Sequence, residues 1–270
     1  MPYATLRPPR SRPLTLYYER HGQGPPLLLI RGFMRSMRFW WPFAESLGSE
    51  LGLIAFDNRG IGRSERPLGL YSTAQMADDA AALLDALGVE SAHVFGMSLG
   101  GMIAQELALR HPSRVQRLIL GATTAGGPSA VRIPWAQRLT LARSAALPPR
   151  EAMQTTASLT LAAPYLQEHP EVVDRWLGLM EIDRPQRRGF LGQAAAALRH
   201  DAWARLPHLK APTLVVTGDA DQLIPPENSR LLAERIPQAR LKILPGAGHD
   251  LTTEQPEAMA WLVRDFCTRA

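Results

Sequence analysis

Short apolar runs alternate along this chain with longer stretches in which apolar positions recur every three to four residues. The short runs predict strands at Leu14–Glu19, Leu27–Ile30, Leu53–Phe56, His93–Phe95, Val115–Leu120, Leu214–Thr217 and Leu241–Leu244. Tyr3–Leu6 reads as a further, edge strand. The later runs are too uniformly apolar to leave one face in water, which is the pattern of parallel strands covered on both sides. The longer stretches predict helices over Thr73–Leu87, Leu99–Leu109, Pro226–Ile236 and Pro256–Cys267. In the first, Met76, Ala80, Leu83, Leu84 and Leu87 form one stripe and Gly88 ends it. Strand and helix in alternation imply an α/β fold with a mostly parallel central sheet flanked by helices.

One stretch breaks the rhythm. Residues 126–208 carry no strand pattern, only helical patterns interrupted by Pro134, Pro148, Pro149, Pro164, Pro170 and Pro185. The expected organisation is therefore a core made of residues 1–125 and 209–270, with 126–208 inserted as a helical lid. Ligands of open α/β sheets bind at the carboxyl edge, so the lid is expected there.

Composition narrows the class. A chain of 270 residues, 46% apolar and 20% charged, folds around a sizeable core and is not disordered. The single cysteine, Cys267, allows neither an internal disulfide nor a cysteine-based zinc site. Met1–Pro13 has no apolar signal-peptide region, and no run approaches the roughly 18 residues of a membrane helix. The expectation is a cytoplasmic protein without a membrane partner, monomeric or homodimeric. Thirty basic and 25 acidic residues leave a net charge of +5. Only Lys210 and Lys242 are lysines, and the arginines are scattered singly, so no nucleic-acid partner is expected.

The strongest chemical signal is Gly96-Met97-Ser98-Leu99-Gly100-Gly101, placed between a predicted strand and a predicted helix. In that context G-x-S-x-G is a nucleophile elbow: a strained turn exposes the serine Oγ, and the flanking glycines let strand and helix approach. A serine nucleophile needs a base, and the base an orienting acid. Asp219 and Asp221 follow one late strand, and His249, in Pro245-Gly246-Ala247-Gly248-His249-Asp250, follows the next. Asp221, further into its loop, suits the acid, while Asp219 suits a turn hydrogen bond. Catalytic candidates are thus Ser98, Asp221 and His249. Backbone N–H groups of Phe33 and Leu99 are the candidate oxyanion hole. His21, His93, His111, His169, His200 and His208 lack this setting, and no pair has metal-ligand spacing, so neither metal nor cofactor is expected.

At this point the chain resembles the α/β-hydrolase superfamily, most closely its small esterases, enol-lactonases and cofactor-free haloperoxidase-like members. The resemblance rests on Leu27–Phe33, on Phe56-Asp57-Asn58-Arg59-Gly60-Ile61-Gly62-Arg63-Ser64, and on the elbow through Gln105. His111-Pro112-Ser113-Arg114-Val115, Gly218–Pro225 and Gly246-Ala247-Gly248-His249 complete it. It implies a serine-dependent carboxylic ester hydrolase working through an acyl-enzyme on small to medium apolar esters. The Gly-rich Asp57–Ser64 stretch lacks Gly-Lys-Ser/Thr and reads as a structural turn, not a phosphate loop. Branches with an aspartate nucleophile are disfavoured by Ser98, and the epoxide branch also by Tyr165 being the one lid tyrosine.

Where the family usually has His-Gly, this chain has Arg31-Gly32. Expected pocket residues are Phe33, Met34, Met97 and Leu223, with Trp135, Leu139, Trp176, Met180 and Phe190 from the lid. The same triad serves a lactonase of the enol-lactone or acyl-homoserine-lactone type, a perhydrolase, or a slow-turnover ligand receptor. In a lactonase an arginine would hold a substrate carboxylate; Arg31, Arg35, Arg132, Arg138 and Arg187 stand as unranked candidates.

Overall fold

A computed structural model describes residues 2–9, 12–144 and 146–268. Eight strands form its sheet: β1 (Tyr3–Leu6), β2 (Leu14–His21), β3 (Pro26–Ile30), β4 (Gly52–Phe56), β5 (Ala92–Met97), β6 (Val115–Gly121), β7 (Thr213–Gly218) and β8 (Arg240–Leu244). They lie in the order β1-β2-β4-β3-β5-β6-β7-β8. β2 pairs antiparallel with β1 and β4, and all later pairings are parallel. The predicted fold class and the Tyr3–Leu6 edge strand are both present. Several strand ends extend one or two residues beyond the apolar runs.

Helices before β6 are α1 (Trp41–Leu47), α2 (Thr73–Ala86) and α3 (Leu99–Arg110). Between β6 and β7 run α4 (Trp135–Ser144), α5 (Pro149–Thr160), α6 (Ala163–Glu168), α7 (Val172–Asp183) and α8 (Arg187–Arg199). After β7 come α9 (Glu227–Arg235), α10 (Leu251–Glu254) and α11 (Pro256–Thr268).

Strand periodicity divides the core in two. Successive side chains point to opposite faces, so Leu28, Ile30, Ile54, Phe56 and Val94 enter one cluster. Leu27, Leu29, Leu53, Ala55, Phe95 and Met97 enter the other. Buried residues of α2, α3 and α9 cover the first face, and those of α1 and α11 the second. One expectation needs correcting: β8 is not uniformly buried. It is an edge strand, and Arg240 and Lys242 are exposed.

The helices between β6 and β7 bring together Met153, Ala157, Leu161, Val172, Val173 and Trp176, with Phe39 from the loop after β3. The segment is anchored at its root by a bridge between Gly126 and Asp201. No helix among the described residues is long and apolar enough to cross a membrane.

Strand order reverses around β3, which has β4 on one side and β5 on the other. Ile30 pairs with Gly96 at the carboxyl ends of these two strands. The loops leaving them begin at Arg31 and Ser98, at the sheet edge where this topology provides for ligands.

Candidate active site

Ser98 occupies the turn from β5 into α3 at φ 56° and ψ −123°, a left-handed conformation that costs a non-glycine residue energy. The elbow closes because its glycines permit it: a Cβ on Gly100 would collide with the Ile30 carbonyl, and one on Gly96 with the Gly100 carbonyl. Gly32 stands against the serine; a Cβ there would lie 3.0 Å from Ser98 Cβ and 3.5 Å from its Oγ. Leu99 opens α3, and the first N–H groups of a helix have no intrahelical acceptor.

The peptide carrying the Phe33 N–H is fixed from both sides. Asn58 Nδ2 donates to the Arg31 carbonyl at 3.0 Å, and Met34 N donates to Gln193 Oε1 at 2.8 Å. Gln193, fully buried on α8, also donates to the Arg59 carbonyl at 2.9 Å. The Asp57–Ser64 turn is built as a support: Asp57 accepts from Met37 N and Arg63 N, and Arg59 pairs with Asp79 at 2.5 Å. Burial pushes the Asp57 carboxyl up to about 6.

His249 Nδ1 lies 2.8 Å from Asp221 Oδ2, and both residues are buried. The other oxygen of Asp221 accepts from Leu223 N and Ile224 N, each at 2.8 Å. Burial works to lower the His249 pKa, but the adjacent Asp221 charge and hydrogen bond outweigh it and hold the imidazole above its ordinary value. Asp219 is turned elsewhere and accepts from Gly246 N at 2.8 Å.

The loop bearing His249 leans on α5. The Thr160 carbonyl accepts from both His249 N at 2.8 Å and Asp250 N at 3.0 Å. Glu254 joins the same two regions, accepting from Ala162 N at 2.8 Å and Gly248 N at 2.9 Å. Burial pushes its carboxyl up to about 7.

Arg31 is buried and points into the core. It donates to Asp250 Oδ2 at 2.5 Å and to Thr252 Oγ1 at 2.8 Å, touches Met97 Sδ, and lies over the Trp40 ring. Burial would raise the Asp250 pKa, but Arg31 holds it below the ordinary carboxylate range. The other cleft candidates separate. Arg132, Arg138 and Arg187 are exposed, whereas Arg35 is lodged between Phe39 and Trp176.

Two expected pocket residues are brought to the loop: Phe190 meets Phe33 edge-to-face at 5.2 Å, and Met34 is tied to Gln193. Leu223 is half-buried beside Asp221. The remaining placements differ from expectation. Met97 is packed in the core against Arg31, and Trp176 is buried among the helices, so neither offers free surface. Met180 is half-buried on that helical cluster. Trp135 is 76% exposed and Leu139 is exposed beside it, because α4 buries only Ser144. Asn58, Thr160, Gln193, Asp250 and Glu254 were not singled out from the sequence as site residues.

The remaining histidines have other surroundings. His93 is buried in β5, His111 ends α3 beside Asp78, and His200 meets Thr73 Oγ1 at 3.0 Å, with burial pushing it down to about 4. Burial pushes the Cys267 thiol up to about 12, far from nucleophilic use at neutral pH. No cluster of three metal-ligating side chains occurs among the described residues.

Known proteins share this fold. The profile of a family described as alpha/beta hydrolase fold matches residues 25–256. A protein provisionally named carbamate hydrolase RutD, from Azorhizobium caulinodans, is 34% identical over 270 residues, covering 99% of this chain and 98% of its own. An esterase from Thermogutta terrifontis, solved with malate bound, superposes with a TM-score of 0.83 at 29% identity, over 98% of this chain and 97% of its own. An enol-lactonase from Burkholderia xenovorans LB400 gives 0.86 at 26% identity, over 99% and 100%.

Proposed function

The chain belongs to the α/β-hydrolase fold family and is a hydrolytic enzyme, and from that premise we propose that it cleaves carboxylic esters through an acyl-enzyme. Ser98 attacks the carbonyl carbon while His249 takes its proton, then returns it to the departing alkoxide. Asp221 keeps the imidazole in the tautomer that presents Nε2 as base and offsets the charge it acquires. The N–H groups of Phe33 and Leu99 receive the oxyanion, each donor contributing about 3 kcal/mol to the transition state. Water activated by His249 then frees the acid and restores Ser98.

The observation that carries this reading is the buried His249–Asp221 pair at 2.8 Å, at the same sheet edge as a serine held at φ 56°. Support also comes from the loop bearing Phe33, pinned by Asn58 and Gln193. Residues 126–208 act in this reading as a cap, with Phe190 meeting Phe33 at the site. Similarity to an enol-lactonase over the full chain supports lactones as a second substrate class for the same residues.

A serine-directed organophosphonate tests the assignment. One adduct on Ser98, and no ester turnover by Ser98→Ala, is the expected result. An adduct elsewhere, or undiminished turnover by the variant, overturns it.

A further inference from the structure

Three successive N–H groups, those of Gly248, His249 and Asp250, end on the corner between α5 and α6. The Thr160 carbonyl takes those of His249 and Asp250. The Gly248 N–H meets a different surface, because another donor stands there. A Cβ on Gly248 would lie 2.8 Å from Ala162 N and 2.9 Å from the Leu161 carbonyl carbon. Ala162 and Gly248 are both buried, and two N–H groups cannot bond each other.

Glu254 supplies the acceptor that both need. Its Oε2 accepts from Ala162 N at 2.8 Å and from Gly248 N at 3.0 Å, and its Oε1 lies 2.9 Å from Gly248 N. The side chain comes from α10, which begins directly after Asp250. Tyr165 on α6 ties α10 to the same corner a second time, its Oη donating to the Thr253 carbonyl at 3.0 Å. Burial, aided by the charges of Asp250 and Asp221, pushes the Glu254 carboxyl up to about 7, and the Ala162 and Gly248 N–H groups pull against it. An acceptor oxygen remains on the carboxyl in either charge state.

One peptide bond joins Gly248 to His249, whose Nδ1 must meet Asp221 Oδ2 at 2.8 Å. A buried N–H stripped of its acceptor is costly, and the backbone that carries it shifts to find another. A shift at Gly248 turns the imidazole of the next residue, and rates fall steeply when a reacting group is displaced by even about 1 Å.

From these contacts we infer that Glu254 is a positioning residue for His249: by giving one carboxyl to Gly248 N and Ala162 N, it fixes the backbone from which the imidazole reaches Asp221. It acts through His249 and not on the substrate. The inference rests on the reading of His249 as the base of an ester hydrolase and adds a residue to that same site.

Glu254→Met removes both acceptor oxygens at nearly equal side-chain length. It is expected to lower kcat on p-nitrophenyl butyrate about 10- to 100-fold, with KM changed less than about twofold. Glu254→Gln keeps one oxygen, which can serve both donors as Oε2 does, and is expected to hold kcat within about threefold of the wild type. The background His249→Ala separates positioning from general loosening. There Glu254→Met is expected to lower the residual kcat by less than about twofold, because no imidazole is left to misplace. Glu254→Asp, one methylene short of the two donors, is expected to lose about tenfold in kcat and carries the test if Glu254→Met does not fold.

A spectroscopic arm needs no turnover. The His249 Nδ1 proton in its bond to Asp221 should give a low-field proton resonance in the wild-type enzyme and in Glu254→Gln, and the resonance should broaden or vanish in Glu254→Met. An equal fold-loss from Glu254→Met with and without His249, a loss carried by KM, or an unchanged resonance in Glu254→Met overturns the inference. Turnover undiminished by Ser98→Ala overturns the hydrolase reading instead, and a resonance that still depends on the Glu254 acceptor then upholds the positioning of His249.

Discussion

Arg31 and Asp250 form a buried ion pair at 2.5 Å, and Asp250 directly follows His249 in the chain. The pair joins the loop after β3 to the loop after β8, with Trp40 stacked over the cation and Met97, the neighbour of Ser98, against it. Removing one partner strands the other charge in the core. Arg31→Met or Asp250→Leu is expected to cost about 3–5 kcal/mol in urea unfolding, and Arg31→Met/Asp250→Leu less than either alone. Costs that add in the double variant would show that the pair is not a unit. Arg31→His, too short to keep all of its contacts, is expected to destabilise as well.

Asp221 and Asp219 stand two residues apart with separate partners, His249 Nδ1 and Gly246 N. Asp221→Asn is expected to lower kcat by about 10³- to 10⁴-fold, because the amide no longer selects the working imidazole tautomer. Asp219→Asn loses a single turn hydrogen bond from Gly246 N and is expected to cost about 1 kcal/mol of stability. Parallel measurement of kcat and Tm distinguishes them. A dead Asp219 variant and a merely unstable Asp221 variant would reverse the assignment.

Activity and the stability contributed by His249 and Glu254 are expected to move in opposite directions with pH. In the proposed mechanism the base must be neutral, and the His249 pKa is raised by Asp221, so the acid limb of kcat/KM should have its midpoint above the ordinary histidine value of about 6.5. The stability that this raised pKa contributes is full below about 6.5 and is lost as pH climbs through the folded value. Glu254, raised to about 7 by burial, adds the same trend, since the folded state binds its proton more tightly. His200, held down to about 4 by burial, works the other way below about pH 6.5, so the check is a comparison: between about pH 5 and about pH 8 the wild-type Tm should lose more, or gain less, than that of Glu254→Gln. Parallel Tm profiles of the two proteins contradict the Glu254 assignment.

Helices α7 and α8 offer a paired test of packing. A Cβ on Gly189 would collide with the Gly60 carbonyl, so Gly189→Ala must push α8 off the turn that supports the loop after β3. It is expected to cost about 1–3 kcal/mol and to lower kcat, because Gln193 on the same helix holds Met34 N. Gly178, inside α7, has open space around it, and Gly178→Ala is expected to add about 0.5–1 kcal/mol. Thermal unfolding of both variants checks the signs.

Much of this was legible in the chain because strand periodicity and turn chemistry are local. Leu27–Ile30 and Leu53–Phe56 could only be strands covered twice, and the structure buries them on alternating faces. The glycine-flanked Ser98 and the strand-end settings of Asp221 and His249 were readable for the same reason. Helix α1 was not, since its aromatic cluster around Pro42 follows no clear helical stripe. Gln193 and Thr160 were invisible because their partners are distant in the chain, 159 residues from Gln193 to Met34, and a backbone carbonyl carries no residue signature. Trp135 and Leu139 misled because helical spacing defines a stripe without saying whether anything covers it.

Thr160 supplies one carbonyl to two successive N–H groups, those of His249 and Asp250. In evolutionary and engineering terms, the inserted helices are not an exchangeable cassette. Grafting residues 126–208 from another hydrolase to import a new acceptance range would also replace the strut beneath the histidine loop. Such chimaeras should lose turnover in proportion to the misfit at that single carbonyl, whatever pocket they bring. Transplants that leave α5 in place and vary only the exposed α4 should escape this coupling.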